Sequence, residues 1–283
     1  MSLAPRHDPT LLSVAGVIAR REAMAAMRGV AGYVALSVAI LAAAWMLLVE
    51  LRALEGAGII VREDVFRVPL AAAMLVLSLF LAVWAAVSAA RDRENGTLEV
   101  LFYAPVDELS YLLGKITGLV AAYAIAMPVL FLALSLLAVV TGFALTPDIL
   151  PRLVLSIIPA AEVVGFGLLL SVGTDGVRSA LLLLIGAAAL LLGVTIGYRM
   201  VLLIPVEDPS SPVLPLRDAL AALNSGVSWL SPFASFERIL ESVATGAWRT
   251  ALIGVVVAVL YTGFMVALAA LWLRRRGVFR RGE

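Results

Sequence analysis

Long stretches without a charge alternate along this chain with short charged ones. Charge-free runs fall at 29–49, 68–90, 116–147, 179–198 and 250–273. Each approaches or exceeds the ~20 mostly apolar residues that a helix needs to cross a hydrocarbon layer. The third is longer than one crossing, and Gly142 and Pro147 mark where it should surface. A sixth run, 152–172, is interrupted by Glu162 but holds twelve Leu, Ile, Val and Phe residues. Such residues favour insertion by roughly 0.3–0.6 kcal/mol each, against about 3 kcal/mol for one central carboxylate. The apolar sum prevails, and the run reads as a span carrying a carboxylate. Six spans are predicted, at about 29–49, 68–90, 113–141, 152–172, 179–203 and 250–273.

The segments between them differ in kind. Residues 10–28 read as an interfacial helix leading into the first span, although Glu22 falls near the face of Leu11 and Ile18. Residues 205–249 carry five prolines and eight charges, too polar to cross. Within them "SPFASFERILESVATG" has the spacing of a short amphipathic helix. Ser231 can cap it, Pro232 suits its first turn and Gly246 can end it,. Phe233, Phe236, Ile239, Leu240 and Val243 share one face, which would dip into the membrane edge or pack on the spans as a lid,.

Composition supports an all-α integral membrane protein. The 283 residues are 63% hydrophobic and 14% charged, with a mean hydropathy of +1.06, whereas soluble domains are about half apolar and a quarter charged. The absence of cysteine removes disulfides, thiolate metal sites and Cys nucleophiles,. The only histidine, His7, lies in a polar tail, so no His-built metal site is expected. A net charge of +1 gives no reason to expect a nucleic-acid partner,.

Orientation follows from arginine placement. Arg6, Arg20, Arg21 and Arg28 precede the first span, and "RRRGVFRR" follows the last. Six spans put both termini on one side, expected to be the cytoplasm of a cell-membrane protein. Of the 21 Lys and Arg residues, thirteen then lie inside and eight outside or in outer span ends.

The charged insert 91–115 would also lie inside. It holds eight charged residues and a proline between two spans. Gly96 permits a sharp change of direction, and Asn95 or Thr97 can cap a short helix through "TLEVLFY",. Pro105 breaks that helix, and Asp107 can start the next,. The outcome is a transverse helix at a span end, exposing Arg91, Asp92, Arg93, Glu94, Glu99, Asp107 and Glu108. By geometry alone it is either a solvated loop or a surface on which a soluble partner can push.

The insert "RENGTLEVLFYAPVDELSYLLGK" resembles the signature of the type 2 ABC-transporter permease family, in which the second span is followed by an acidic residue, Gly-Thr-Leu/Ile-Glu, a Pro-containing turn and Gly-Lys. The matching residues are Glu94, Gly96, Thr97, Leu98, Glu99, Pro105, Gly114 and Lys115. "IARREAMAAMRGVAGYVAL" is similar to that family's interfacial entry helix, and "WLSPFASFERILESVATG" to its external segment. Within the family the chain leans toward permeases of the gliding-motility and copper-maturation type, departing from them at Ser235, where a histidine is frequent. The resemblance implies six spans, an interfacial helix, a coupling helix at about 91–112 and an external helical segment before the last span. It implies that Glu94, Gly96, Thr97, Leu98, Glu99, Pro105, Asp107 and Glu108 meet a separate ATP-binding subunit, and that two permeases, identical or paralogous, pair in the bilayer. ATP and magnesium would be bound by that partner. "LLGKIT" at 112–117 is no phosphate loop, having Leu109 and Ile116 where Gly and Ser/Thr are needed,.

Two polar residues stand out in the spans. Glu162 is open to two roles, a hydrogen bond between spans or a place on the translocation path,. Arg199 could pair with it or snorkel outward,. The expected function is the permease subunit of an ATP-driven exporter, itself without catalytic residues. The alternative is a stand-alone secondary transporter that couples an ion through Glu162.

Overall fold

The computed structural model describes residues 11–57, 64–98, 107–204 and 213–276. Among the described residues the long elements are all helices: α1 (Leu11–Arg28), α2 (Val30–Ala57), α3 (Arg67–Glu94), α4 (Glu108–Thr141), α5 (Ile149–Leu155), α6 (Ile157–Gly173), α7 (Val177–Leu202), α8 (Val213–Leu230), α9 (Pro232–Ala244) and α10 (Trp248–Arg276). Six units are long and apolar enough to cross a membrane: α2, α3, α4, α5 with α6, α7 and α10. The break between α5 and α6 at Ser156 has a covalent cause. Pro159 has no N–H to offer the carbonyl of Leu155, so the helical ladder is interrupted there,.

Large apolar side chains point outward on α2, α7 and α10, among them Leu41, Ile185 and Val256. In water this would be a fault, but in a bilayer it is the expected pattern. Lipid tails are as apolar as leucine, so helices associate through close packing of small residues instead. The seam between α3 and α6 is built this way. A Cβ on Gly167 would lie 2.8 Å from the carbonyl oxygen of Ala82 and 2.8 Å from the Cβ of Ala85. Where that seam nears its end, the Ala90 N–H donates to Ser171 Oγ at 2.8 Å.

The helix α1 is fastened in the same manner. Gly114 and Gly118 lie one turn apart on α4 and receive α1 directly,. A Cβ on Gly114 would meet the Ile18 side chain at 2.7 Å, and one on Gly118 would meet the Ala19 carbonyl oxygen at 2.6 Å. A helix too polar to span is thus held against the start of the third span.

Ion pairs sort the span ends into two groups. Glu108, opening α4, lies 3.6 Å from Arg274 near the end of α10. The insert, α1 and the close of the last span therefore share one end of the bundle, called the insert end below. At the far end Arg152 of α5 is buried between Asp64 (2.7 Å) and Asp148. Residues 213–249 also lie there and include two helices, α8 as well as the anticipated α9. Helix α9 has the caps its sequence suggests. Ser231 Oγ accepts from the Ala234 N–H, Pro232 opens the first turn, and Gly246 takes φ +69° just past the end. Phe233, Phe236, Ile239 and Val243 are buried, so α9 is packed on the spans as a lid.

Replacing Gly118 with Leu should separate α1 from α4. The added side chain has no room at that approach, and overpacking of this kind costs about 1–3 kcal/mol. A lower thermal midpoint for the detergent-solubilised protein, with faster proteolysis within α1, is the expected result. An unchanged midpoint would show that the approach is not tight.

Candidate functional site

Helix α3 ends at the insert. Asn95 and Gly96 close it with backbone N–H bonds to Arg91 and Arg93, and Gly96 takes φ +68°, a conformation costly for any side-chain-bearing residue,. Thr97 and Leu98 are helical, and Leu98 is buried. Glu99 and Pro105 fall outside the described residues. Asp107 is extended and stands immediately before α4, and Glu108 occupies its first turn.

Of the last charged residues of α3, Arg91 and Glu94 are exposed as expected, whereas Asp92 and Arg93 are partly buried. Arg93 donates to the carbonyls of Val172 and Thr174, where α6 ends. The next residue, Glu94, accepts from the Val177 N–H at 2.7 Å, where α7 begins. A helix ends on orphan carbonyls with partial negative charge and begins on orphan N–H groups with partial positive charge. A cation followed by an anion therefore matches both sides of the 173–177 turn at once. Asp92 is bonded as well, and of the four side chains only that of Arg91 has no hydrogen bond or ion pair among the described residues.

Lys115 is the centre of this end. Its side chain is 1% exposed, and Nζ lies 2.8 Å from Glu22 Oε1 of α1 and 2.8 Å from Asp92 Oδ2 of α3. The Tyr111 hydroxyl donates to the same Asp92 oxygen at 2.8 Å, and the ammonium sits 5.1 Å from the Tyr111 ring centroid. One buried cation thereby joins three helices whose contributing residues lie far apart in sequence. Glu22, Asp92 and Tyr111 were not identified as a group from sequence. The available signal was Glu22 itself, a carboxylate on the apolar face of α1 that needs a cation opposite.

Glu162 lies on α6 with no exposed surface. Its Oε1 accepts from the Ser235 hydroxyl of α9 at 3.0 Å, and its Oε2 is buried without a hydrogen-bond partner among the described residues. Nearby the Tyr123 hydroxyl donates to Ser156 Oγ at 3.0 Å, and the Tyr123 ring meets Phe236 edge-on at 6.4 Å between centroids. Arg199 is not part of this group. It is exposed and paired with Glu237 on the outer side of α9. Both Glu162 and Arg199 thus hold α9, one from beneath and one from its rim.

At the insert end Asp92, Arg93, Glu94 and Lys115 are engaged in holding helices together. A family profile described as ABC-2 family transporter protein matches residues 63–273. That range covers all spans but the first. The chain belongs to the ABC-2 transporter family. A search among curated proteins finds no match. Membership makes this chain a membrane subunit of an ABC transporter, in a family whose membrane subunits are generally not themselves catalytic and generally work with an ATP-binding subunit.

Lys115→Met would leave Glu22 and Asp92 buried with no cation between them. Breaking such a cluster from one side costs about 3–5 kcal/mol, whereas replacing every charged member by apolar residues is often neutral. Thermal unfolding in detergent should show a large loss for the single variant. Most of it should be recovered in the triple variant Glu22→Leu/Asp92→Leu/Lys115→Met.

Proposed function

We propose that this ABC-2 permease is one half of the membrane pathway of an ATP-driven exporter in the cell membrane. Its insert end faces the cytoplasm and receives a separate ATP-binding subunit on residues 94–108. A second permease, a copy or a paralogue, completes the pathway, and ATP with magnesium is bound and hydrolysed in the partner. The observation that carries this reading is the rooting of the insert. Asp92, Arg93 and Glu94, which close α3 ahead of Gly96, bond to the end of α6, the start of α7 and, through Lys115, to α1 and α4. A push delivered to a segment rooted in this way reaches four helices besides its own.

Glu99, Pro105, Asp107 and Glu108 are proposed as contact points on the same grounds of resemblance, with Thr97 and Leu98 opening the transverse helix. Glu162 is proposed to lie along the path beneath α9, where its bond to Ser235 is remade as the lid shifts. The alternative of a stand-alone ion-coupled transporter is not favoured, since the family supplies membrane subunits of ABC transporters.

Three measurements test the reading. Co-expression with an ATP-binding subunit encoded beside this gene should give a stable complex. Glu99→Arg should keep the permease inserted but uncouple ATP hydrolysis from transport. A variant that transports normally with its ATPase fully coupled would remove the insert from the mechanism. Glu162→Gln can still accept from Ser235, so assembly should be kept while substrate-stimulated ATPase changes. Unaltered transport would reduce Glu162 to a packing residue.

A further inference from the structure

Helices α2 and α3 pack unevenly along their length. Toward the far end Ala39, Ala43 and Leu47 of α2 are buried in the common core with Leu70, Ala73 and Met74 of α3. Toward the insert end two large rings of α3, Phe80 and Trp84, stand 5.6 Å apart between centroids and hold the helices open. Val34 and Val38 of α2 remain exposed there. The gap is a cavity of about 600 Å³, within the roughly 300–1,000 Å³ of ordinary ligand sites. Its walls are apolar, from Val38, Val83, Trp84 and Val87, and Arg21 of α1 and Arg91 of α3 line it as well.

The charges in its lining are what identify an occupant. Glu22 and Asp92 also line the cavity, but each is already bonded to Lys115. The side chains of Arg21 and Arg91 have no hydrogen bond or ion pair among the described residues. The lining itself carries two cations and two carboxylates, and because Lys115 already meets both carboxylates from behind the lining, the uncompensated positive charge resides on the two unpaired guanidinium groups. Guanidinium presents a planar fork that suits phosphate oxygens. Basic pockets between spans at a membrane surface are where anionic headgroups are held.

We propose that this groove binds one anionic phospholipid, its phosphate taken by Arg21 and Arg91 and an acyl chain lying along Val38, Val83, Trp84 and Val87. The lipid fills the space that Phe80 and Trp84 hold open and adds a fourth member to the joint of α1, α3 and α4. This inference needs only that the helices cross a bilayer, and it does not depend on an ATPase seating on the insert.

The test is native mass spectrometry of the full-length chain released from nanodiscs containing equal phosphatidylglycerol and phosphatidylcholine. Retention of phosphatidylglycerol in preference to phosphatidylcholine is expected. In R21Q/R91Q that preference should fall about thirtyfold, roughly fivefold for each arginine. Val38→Trp fills the groove with both arginines intact and should also expel the bound lipid, which keeps the test open if the double variant folds poorly. Equal retention of the two lipids by the unmodified chain overturns the proposal, as does a preference that both variants leave unchanged. The chain lacks cysteine, so Val38→Cys gives a clean cross-linking probe. Efficient disulfide linkage between two copies in phosphatidylglycerol nanodiscs would show that a second copy covers the groove, and would also overturn it. Because the readout is bound lipid alone, failure to co-purify an ATPase would count against the exporter reading without touching this result.

Discussion

Lys115 carries its charge where water does not reach, and such a charge persists only if carboxylates meet it at bonding distance. Glu22 and Asp92 do so at 2.8 Å each, which ties α1, α3 and α4 together at one point. Much of the insert end depends on this. Helix α1 lacks the apolar length to hold itself in a bilayer, so its position comes from the pair of glycines it lies against and from Glu22. The orientation of Asp92 fixes the last turn of α3, and the next two residues then reach the end of α6 and the start of α7. Desolvating three charges is expensive, and their mutual attraction roughly offsets that cost. What the cluster supplies is registry, because sliding any one of these helices away from the others would leave a buried charge unmatched.

The two ends of the bundle are built on the same logic, a buried cation between two carboxylates. At the far end a buried arginine, Arg152, takes Asp64 and Asp148 as the buried lysine takes Glu22 and Asp92. Between these anchors the core is largely apolar, with a tight seam made by small residues, Gly167 against Ala82 and Ala85. Close backbone approach resists sliding, because a shift of one residue would drive a side chain into a neighbouring backbone. A bundle clamped by ion clusters at its ends and interlocked by small residues between them moves as a body, and the parts free to move separately are those packed on only one side. Helix α9, held by Ser235 to Glu162 and by Glu237 to Arg199, is one such part.

Much of this fold could be read from local pattern. Charge-free length located the spans, and Ser231, Pro232 and Gly246 marked the boundaries of α9 because caps are chemistry within a few residues. Gly96 showed where the chain turns for the same reason. Helix α8 was missed because Pro212, Pro215, Arg217 and Asp218 at its start look like loop residues, while its carbonyl neighbour is supplied from elsewhere: Arg217 bonds back to Leu202 and Ile204. The ion clusters were illegible for a different reason. Glu22 appeared as a flaw in an amphipathic face, Asp92 as one charge in an exposed row, and Lys115 as part of a motif. Nothing periodic connects positions 22, 92 and 115, and their meeting is set by how three helices cross. Glu162 was conspicuous alone, but Ser235, a small hydroxyl on another helix, gave no sign of being its partner.

The uneven packing of α2 on α3 follows from which residues α3 presents along its length. Alanines and leucines near its start allow α2 to close on it, whereas Phe80 and Trp84, one turn apart, border a gap beside Val34 and Val38 of α2. Space next to spans cannot stay empty in a fluid bilayer, because a void forfeits dispersion contacts on every wall. It must be filled by lipid or by protein. The free guanidinium groups of Arg21 and Arg91 then decide between an indifferent hydrocarbon chain and one that brings an anionic headgroup, since an unpaired cation at a membrane surface gains more from phosphate than from water. The aromatic wedge and the two arginines are therefore parts of one site, although they sit on different helices and neither would suggest it alone.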